Sequence, residues 1–301
     1  MRYLSALMKD RMNSQEGSLI RFAWGKVLAT CVVLAVGAAR CLSQTVEVKT
    51  NVGAIALSNV VKPAGGGPMV PETTTLVARL PTGPPLIVVG FAGGFVRSTS
   101  TVHGEVGLAA DLRAKYGATI HAEVFENHHG DQAYREILRL AGLPDRALSF
   151  AGASSSADVA LAAKKKAVRI ILYGHSWGAS EAVATARRLE QDGVPVLLVA
   201  EVDRVAKPGE DDNVIPANVA QAINFYQVDG ILHGRQRIEA ADPAATTILG
   251  NIRFSYKDKS VPCLGYPWYT RLLTKPHIEI ENDPRVWKEV EALIVAKAAP
   301  R

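Results

Sequence analysis

The chain is poor in cysteine, carries almost no charge excess beyond its first residues and has no repeat, and each shortage closes off a class of protein. Three cysteines in 301 residues, Cys31, Cys41 and Cys263, cannot build a disulfide framework. After export at most one pair, Cys41 with Cys263, could bridge. No Cys-x-x-Cys or Cys/His spacing marks a structural metal site. The net charge of +5 would suit a polyanionic partner, but residues 1–43 hold six basic groups (Arg2, Lys9, Arg11, Arg21, Lys26, Arg40) against Asp10 and Glu16. The remainder has 28 basic and 27 acidic groups, so no nucleic-acid partner is expected. Hydrophobic residues at 48% and charged residues at 21% are an ordinary globular balance, which excludes a disordered or fibrous chain.

Nor does the N-terminal apolar run Val27–Ala39 reach the roughly 17–25 residues that a membrane-spanning helix takes. Behind a basic stretch, and with small residues for cleavage after Ala39 or Ser43, it fits a signal peptide, with an uncleaved membrane anchor as the variant. Met8 and Met12 are alternative starts. The expectation is export to the periplasm or the medium. Organisation follows: 1–43 as signal or anchor, 44–85 as an irregular lead-in broken by Pro63–Pro68 and Pro81–Pro85, and 86–301 as the folded domain.

From residue 86 short apolar runs alternate with segments of helical period. Strands are expected at 86–89, 118–125, 168–173, within 194–202, at 222–227 and at 248–256. Helices are expected near 105–116, 131–140, 181–192 and 283–297. Continuous apolar strands separated by helices predict an α/β fold: a mostly parallel β-sheet with helices on both faces.

Gly174-His175-Ser176-Trp177-Gly178 stands where the strand at 168–173 gives way to a helix. A serine in that turn is lifted above the sheet edge, and the glycines on either side let backbone pass close by. Ser176 is therefore the candidate nucleophile, and the alternative is an ordinary tight turn. Of seven histidines, His277 follows the last strand in a loop before the final helix, the place from which a base returns over such a serine. His175 lies inside the elbow and points elsewhere. With Ala92 and Gly93 it is expected along the substrate. Asp203, Asp229 and, more remotely, Asp258 follow strands and compete to orient the base; an aspartate there is often only a turn residue. The glycine-rich Gly90–Phe95 loop is expected to supply one oxyanion-hole amide, from Phe91 first and Ala92 next, and Trp177 the other. Asn127-His128-His129-Gly130-Asp131 reads as a loop near the site mouth rather than a metal site, since adjacent histidines rarely converge on one ion. Gly265–Tyr269 is either an apolar pocket wall or packing.

The Gly90–Gly94 loop, the Gly174–Gly178 elbow and the His277 segment together resemble the α/β-hydrolase superfamily, over about residues 86–297. Lipase-like and thioesterase-like bacterial members are the nearest in pattern. In lipase-like members an aspartate directly follows the strand after the elbow helix, as Asp203 does in Val202-Asp203-Arg204-Val205, so the resemblance favours Asp203 over Asp229. It implies a serine hydrolase acting on a small-molecule acyl ester, thioester or lipid, without a cofactor or metal. A non-catalytic binding protein of the same fold, or an amidase or peptidase, is the alternative. The chain departs from the family in lacking the frequent His-Gly at Val89-Gly90 and a large lid insertion, which leaves the substrate open.

Overall fold

The computed structural model describes residues 85–145, 155–207 and 213–298. The expected signal or anchor and nearly all of the lead-in lie outside these residues. No helix among the described residues is long and apolar enough to cross a membrane.

Six strands form one sheet: β1 (Leu86–Ala92), β2 (Ile120–Glu126), β3 (Ile170–His175), β4 (Leu198–Val202), β6 (Gln221–Tyr226) and β8 (Thr247–Arg253). Their order is β2-β1-β3-β4-β6-β8, with every pairing parallel. The short strands β5 (Val214–Ile215) and β7 (Glu239–Ala240) pair separately. The helices are α1 (Gly104–Tyr116), α2 (Gly130–Ala141), α3 (Ser155–Ala167), α4 (Trp177–Gln191), α5 (Trp268–Leu273), α6 (Lys275–Glu281) and α7 (Pro284–Ala298). The chain has an α/β-hydrolase fold, with the elbow serine after a central strand and the later strands extending the sheet to one side.

Alternation along the strands explains the layers. Leu86 and Val88 face one side with Leu108 and Leu112 of α1 and Val290 and Ile294 of α7. Ile87 and Val89 face the other with Ile137 of α2 and Val183 and Leu189 of α4. A strand covered on both faces has no polar side, so β1 and the Ile170–Leu172 part of β3 are apolar, and both strands are wholly buried. Each aliphatic side chain so buried contributes about 1.5–3 kcal/mol from area removed from water. β8 at the sheet edge has no buried residue, and Leu249 and Ile252 are exposed on it, since a strand with one neighbour is only partly covered.

Three departures from the sequence reading matter. The elbow helix α4 begins at Trp177, directly after Ser176, rather than near Glu181; Gly178, Ala179 and Ser180 are small enough to be buried in its first turn. His277 lies within the short helix α6, not in a loop, after a proline that suits the first helical turn. Helix α3 was not expected, because its alanine- and lysine-rich sequence favours a helix by propensity without an apolar stripe to reveal it.

Candidate functional site

β3 ends at His175, and the chain turns sharply at Ser176, whose φ of 57° and ψ of −124° are unusual for a residue with a side chain. Such strain costs on the order of 1–3 kcal/mol and persists only where the surroundings enforce it. Here the Ser176 N–H donates to Val202 O at 2.9 Å, and its own carbonyl accepts from Ala179 at 3.1 Å. A Cβ at Gly178 would collide with the Phe91 carbonyl, so only glycine lets α4 start this close to β1. The expected close approach of backbone is thus a property of Gly178 in particular.

His277 Nε2 lies 3.0 Å from Ser176 Oγ, and its Nδ1 lies 2.6 Å from Asp203 Oδ2. All three residues are buried, Ser176 at 8% exposure and His277 at 6%. Asp203 leaves the end of β4 with a φ of 44°, and its carboxylate meets the segment that follows β6. Its Oδ1 accepts the N–H groups of Gln227 (3.1 Å) and Gly234 (2.7 Å), and Oδ2 accepts Gln227 Nε2 at 2.8 Å. Burial alone would raise its pKa; the hydrogen bond and charge of His277 and the bonds from Gln227 outweigh it, and the carboxyl is held below its ordinary value. Next to it Arg204 and Glu201 form a fully buried ion pair with Nε and Oε2 2.7 Å apart.

Asp229 is elsewhere. Its Oδ2 accepts Ser255 Oγ and the Tyr256 N–H, each at 2.7 Å, and Oδ1 lies 3.7 Å from Arg253 and 3.9 Å from Lys257. Of the two main candidate acids, it is Asp203 that the structure joins to His277.

The glycine-rich loop needs a correction. Phe91 is a strand residue with its ring in the core. The Ile87 N–H donates to Arg169 beside β3, and N–H direction alternates along a strand, so Phe91 also turns its N–H into the β3 ladder. That amide is engaged in the sheet rather than free to face Ser176. The following turn, Ala92–Phe95, is what borders the serine: a Cβ built on Gly93 would lie 3.1 Å from Ser176 Cβ. Asn127 Nδ2 pins this turn through Ala92 O at 3.1 Å and through Gly94 O. Trp177, first residue of α4, has no intrahelical acceptor for its N–H, because the opening N–H groups of a helix lack one.

Phe95, 56% exposed, meets the Trp177 ring edge-on with centroids 6.0 Å apart. His175 is buried behind the serine, its ring 4.5 Å from that of His277. Burial pushes its pKa down to about 4, so the ring is neutral near pH 7. The Gly265–Tyr269 cluster divides: Tyr266 is buried against His103, while Trp268 is 69% exposed. Glu126 joins His128 and His129, with ligand atoms within 4.8 Å of one another, a third group that the sequence reading did not find. His128 and His129 are exposed, and the His128–Glu126 contact of 3.1 Å is explained as a surface ion pair.

Four groups that hold the site were not found in the sequence: Gln227, Gly234, Glu105 and Glu281. Only Glu281 left a usable trace, four residues after His277, the spacing that places two side chains on one helix face.

No family model matches the chain, and no curated protein matches it either. Among solved structures, it is similar to the type II thioesterase YbtT of a yersiniabactin biosynthetic pathway at 15% identity, over 42% of this chain and 44% of that one, with a TM-score of 0.25. The chain therefore spans less than half the length of that protein. A hormone-sensitive lipase from a metagenome library aligns at 14% identity over 71% of this chain and 79% of that one, with a TM-score of 0.32. RedJ, solved with a polyethylene glycol molecule in its active site, aligns at 13% identity over 72% and 95%, with a TM-score of 0.28.

Proposed function

We propose that this protein is a serine hydrolase that cleaves a carboxylic ester or thioester through an acyl-enzyme on Ser176. The observation that carries the reading is the continuous chain of hydrogen-bond contacts from Ser176 Oγ to His277 and on to Asp203. In that chain the Ser176 hydroxyl donates to His277 Nε2, and His277 Nδ1–H donates to Asp203. As Oγ attacks the substrate carbonyl, His277 takes its proton and Asp203 stabilises the imidazolium formed. His277 then delivers the proton to the departing alcohol or thiol as the carbonyl carbon's bond to it breaks. Water, deprotonated by the same histidine, releases the acid and restores Ser176.

The developing oxyanion is met by the Trp177 amide at the start of α4, with the Ala92–Phe95 turn close enough to provide the second donor. Phe95 and Trp177 form an apolar border beside the serine, which supports an acyl group as the part of the substrate held there. The reading extends to an exported protein, through the basic and apolar pattern of residues 1–43.

Labelling with a fluorophosphonate, which reacts covalently with activated serines, tests the proposal. The folded wild type should label and hydrolyse members of an acyl ester series of graded chain length, and Ser176→Ala should do neither. A folded wild type that resists labelling, or hydrolysis that survives Ser176→Ala, would remove Ser176 from this role.

A further inference from the structure

A second acidic system lies behind the site. Glu281 is one helical turn beyond His277 on α6 and is 2% exposed. Its Oε1 lies 2.6 Å from His103 Nδ1, which also contacts the Tyr266 hydroxyl at 3.1 Å, and its Oε2 lies 3.6 Å from His175 Nδ1. Opposite stands Glu105, in the first turn of α1 and fully buried. Glu105 Oε1 accepts the Gly93 N–H at 3.2 Å, while no donor reaches its buried Oε2. Ligating atoms of His103, Glu105 and Glu281 all fall within 4.8 Å of one another. The titratable groups that face the two carboxyls are His103, His175, Tyr173, Tyr266 and Cys263.

Two carboxylates this close and this dry cannot both ionise. Glu281 faces His103, Tyr266 and His175, so the charge belongs there. Glu105 has no cation or side-chain donor beside it, only backbone N–H groups, and its second oxygen is unpartnered, so the proton belongs on that oxygen, where it can point at Glu281.

We propose that Glu105 and Glu281 share a single proton and act as positioning residues for the two halves of the site. Protonated Glu105 holds the turn beside Ser176 through the Gly93 amide. Ionised Glu281 orients His175, whose ring backs that of His277. The catalytic part of this inference rests on the serine-hydrolase reading; the shared proton does not. In agreement, burial and the Glu281 charge push Glu105 well above the usual carboxylate range. Burial also opposes the Glu281 charge, but His175 and His103 outweigh it and hold Glu281 low.

Four variants test the pair: Glu105→Ala, Glu105→Gln, Glu281→Ala and Glu281→Gln. A glutamine at 105 reproduces the protonated acid, since its oxygen accepts from Gly93 and its amide donates to Glu281. Glu105→Ala should slow fluorophosphonate labelling at least tenfold, and Glu105→Gln should recover most of that loss. Glu281→Gln should not rescue Glu281→Ala, because the missing feature there is charge. The folded state holds the Glu105 proton more tightly than the unfolded chain does. Stability should therefore fall as pH rises above the ordinary value of 4.5 towards the raised one. Glu105→Gln removes that fall, so its stability relative to wild type should grow between about pH 5 and pH 8 in urea unfolding. Glutamine as damaging as alanine at 105, or a stability difference independent of pH, would overturn the shared proton. If wild type itself does not label, the hydrolase reading fails, and the urea series alone decides the pair.

Discussion

Asp203 and Asp229 leave neighbouring strands of one sheet, and both carboxyls are held below their ordinary value, yet they have different work. Asp203 turns directly off β4 and is fully buried, taking three donors from Gln227 and Gly234 and a fourth from His277. Asp229 stands three residues past the end of β6 and ties the chain at Ser255 and Tyr256, facing cations that are 52% and 69% exposed. Gln227 separates their tasks. Its side-chain nitrogen holds Asp203, while its side-chain oxygen accepts the amides of Asp229 and Gly230 at 2.8 and 3.2 Å. A low carboxyl pKa therefore does not identify an acid that serves a histidine. The groups responsible do: the Ser255 hydroxyl, the Tyr256 amide and solvent-facing cations for Asp229, a buried imidazole first for Asp203.

The largest expected effect falls on Asp203. Asp203→Asn keeps the shape but removes the charge and presents either an oxygen or an NH2 to His277. The imidazolium loses its counter-charge and the ring loses its fixed tautomer, so on the proposed function the labelling rate and kcat should drop about 10³–10⁴-fold, the scale of the same change in a serine-protease triad. Loss under tenfold, with fold intact by circular dichroism, would break the assignment of His277's partner and return Asp229 to consideration.

The same comparison shows what could be read from the chain. β1 and β3 were visible because strands buried on both faces are apolar without interruption, and the elbow was visible because its glycines are spaced by a steric demand. The order of serine, aspartate and histidine followed. The residues by themselves leave the two aspartates open and only the resemblance favours Asp203; the positive φ at Asp203 and the carboxylate's donors in the 227–234 loop are not encoded in any local pattern. The amide of Phe91 was misassigned because sequence locates the glycine-rich stretch but not the residue at which the strand's ladder ends. Glu105 and Glu281 stayed hidden for another reason. Charged residues near helix ends ordinarily face water, and only the third dimension brings α1 and α6 together around them.

Asp229→Asn should be a smaller and different change. Its contacts with Arg253 and Lys257 are long and solvent-exposed, and such pairs are worth about 0–1 kcal/mol. The Ser255 and Tyr256 bonds survive in weakened, uncharged form. Stability should fall by about 1 kcal/mol, with labelling within roughly twofold of wild type. A loss of labelling comparable with that of Asp203→Asn would erase the distinction between the two carboxylates.

Acid sharpens the comparison most finely. A carboxyl held below its ordinary value releases its proton more readily in the folded state, so each aspartate contributes stability above about pH 3.8 that is lost as pH falls through the lowered value. His175 acts in a separate window: its neutral, buried ring contributes above its ordinary 6.5 and loses that contribution as pH falls towards about 4. Urea unfolding of wild type and both asparagine variants between about pH 6 and pH 3 separates the three. Between pH 6 and 5 the three proteins should change in parallel, because His175, which loses its contribution there as pH falls, and Glu105, which gains, are common to all of them. Below about pH 4 wild type should steepen, and Asp203→Asn should remove more of that steepening than Asp229→Asn, because water screens the cations around Asp229 while burial preserves the charge of His277 beside Asp203. Equal flattening by the two variants would mean that the exposed cations hold Asp229 as firmly as the buried imidazole holds Asp203.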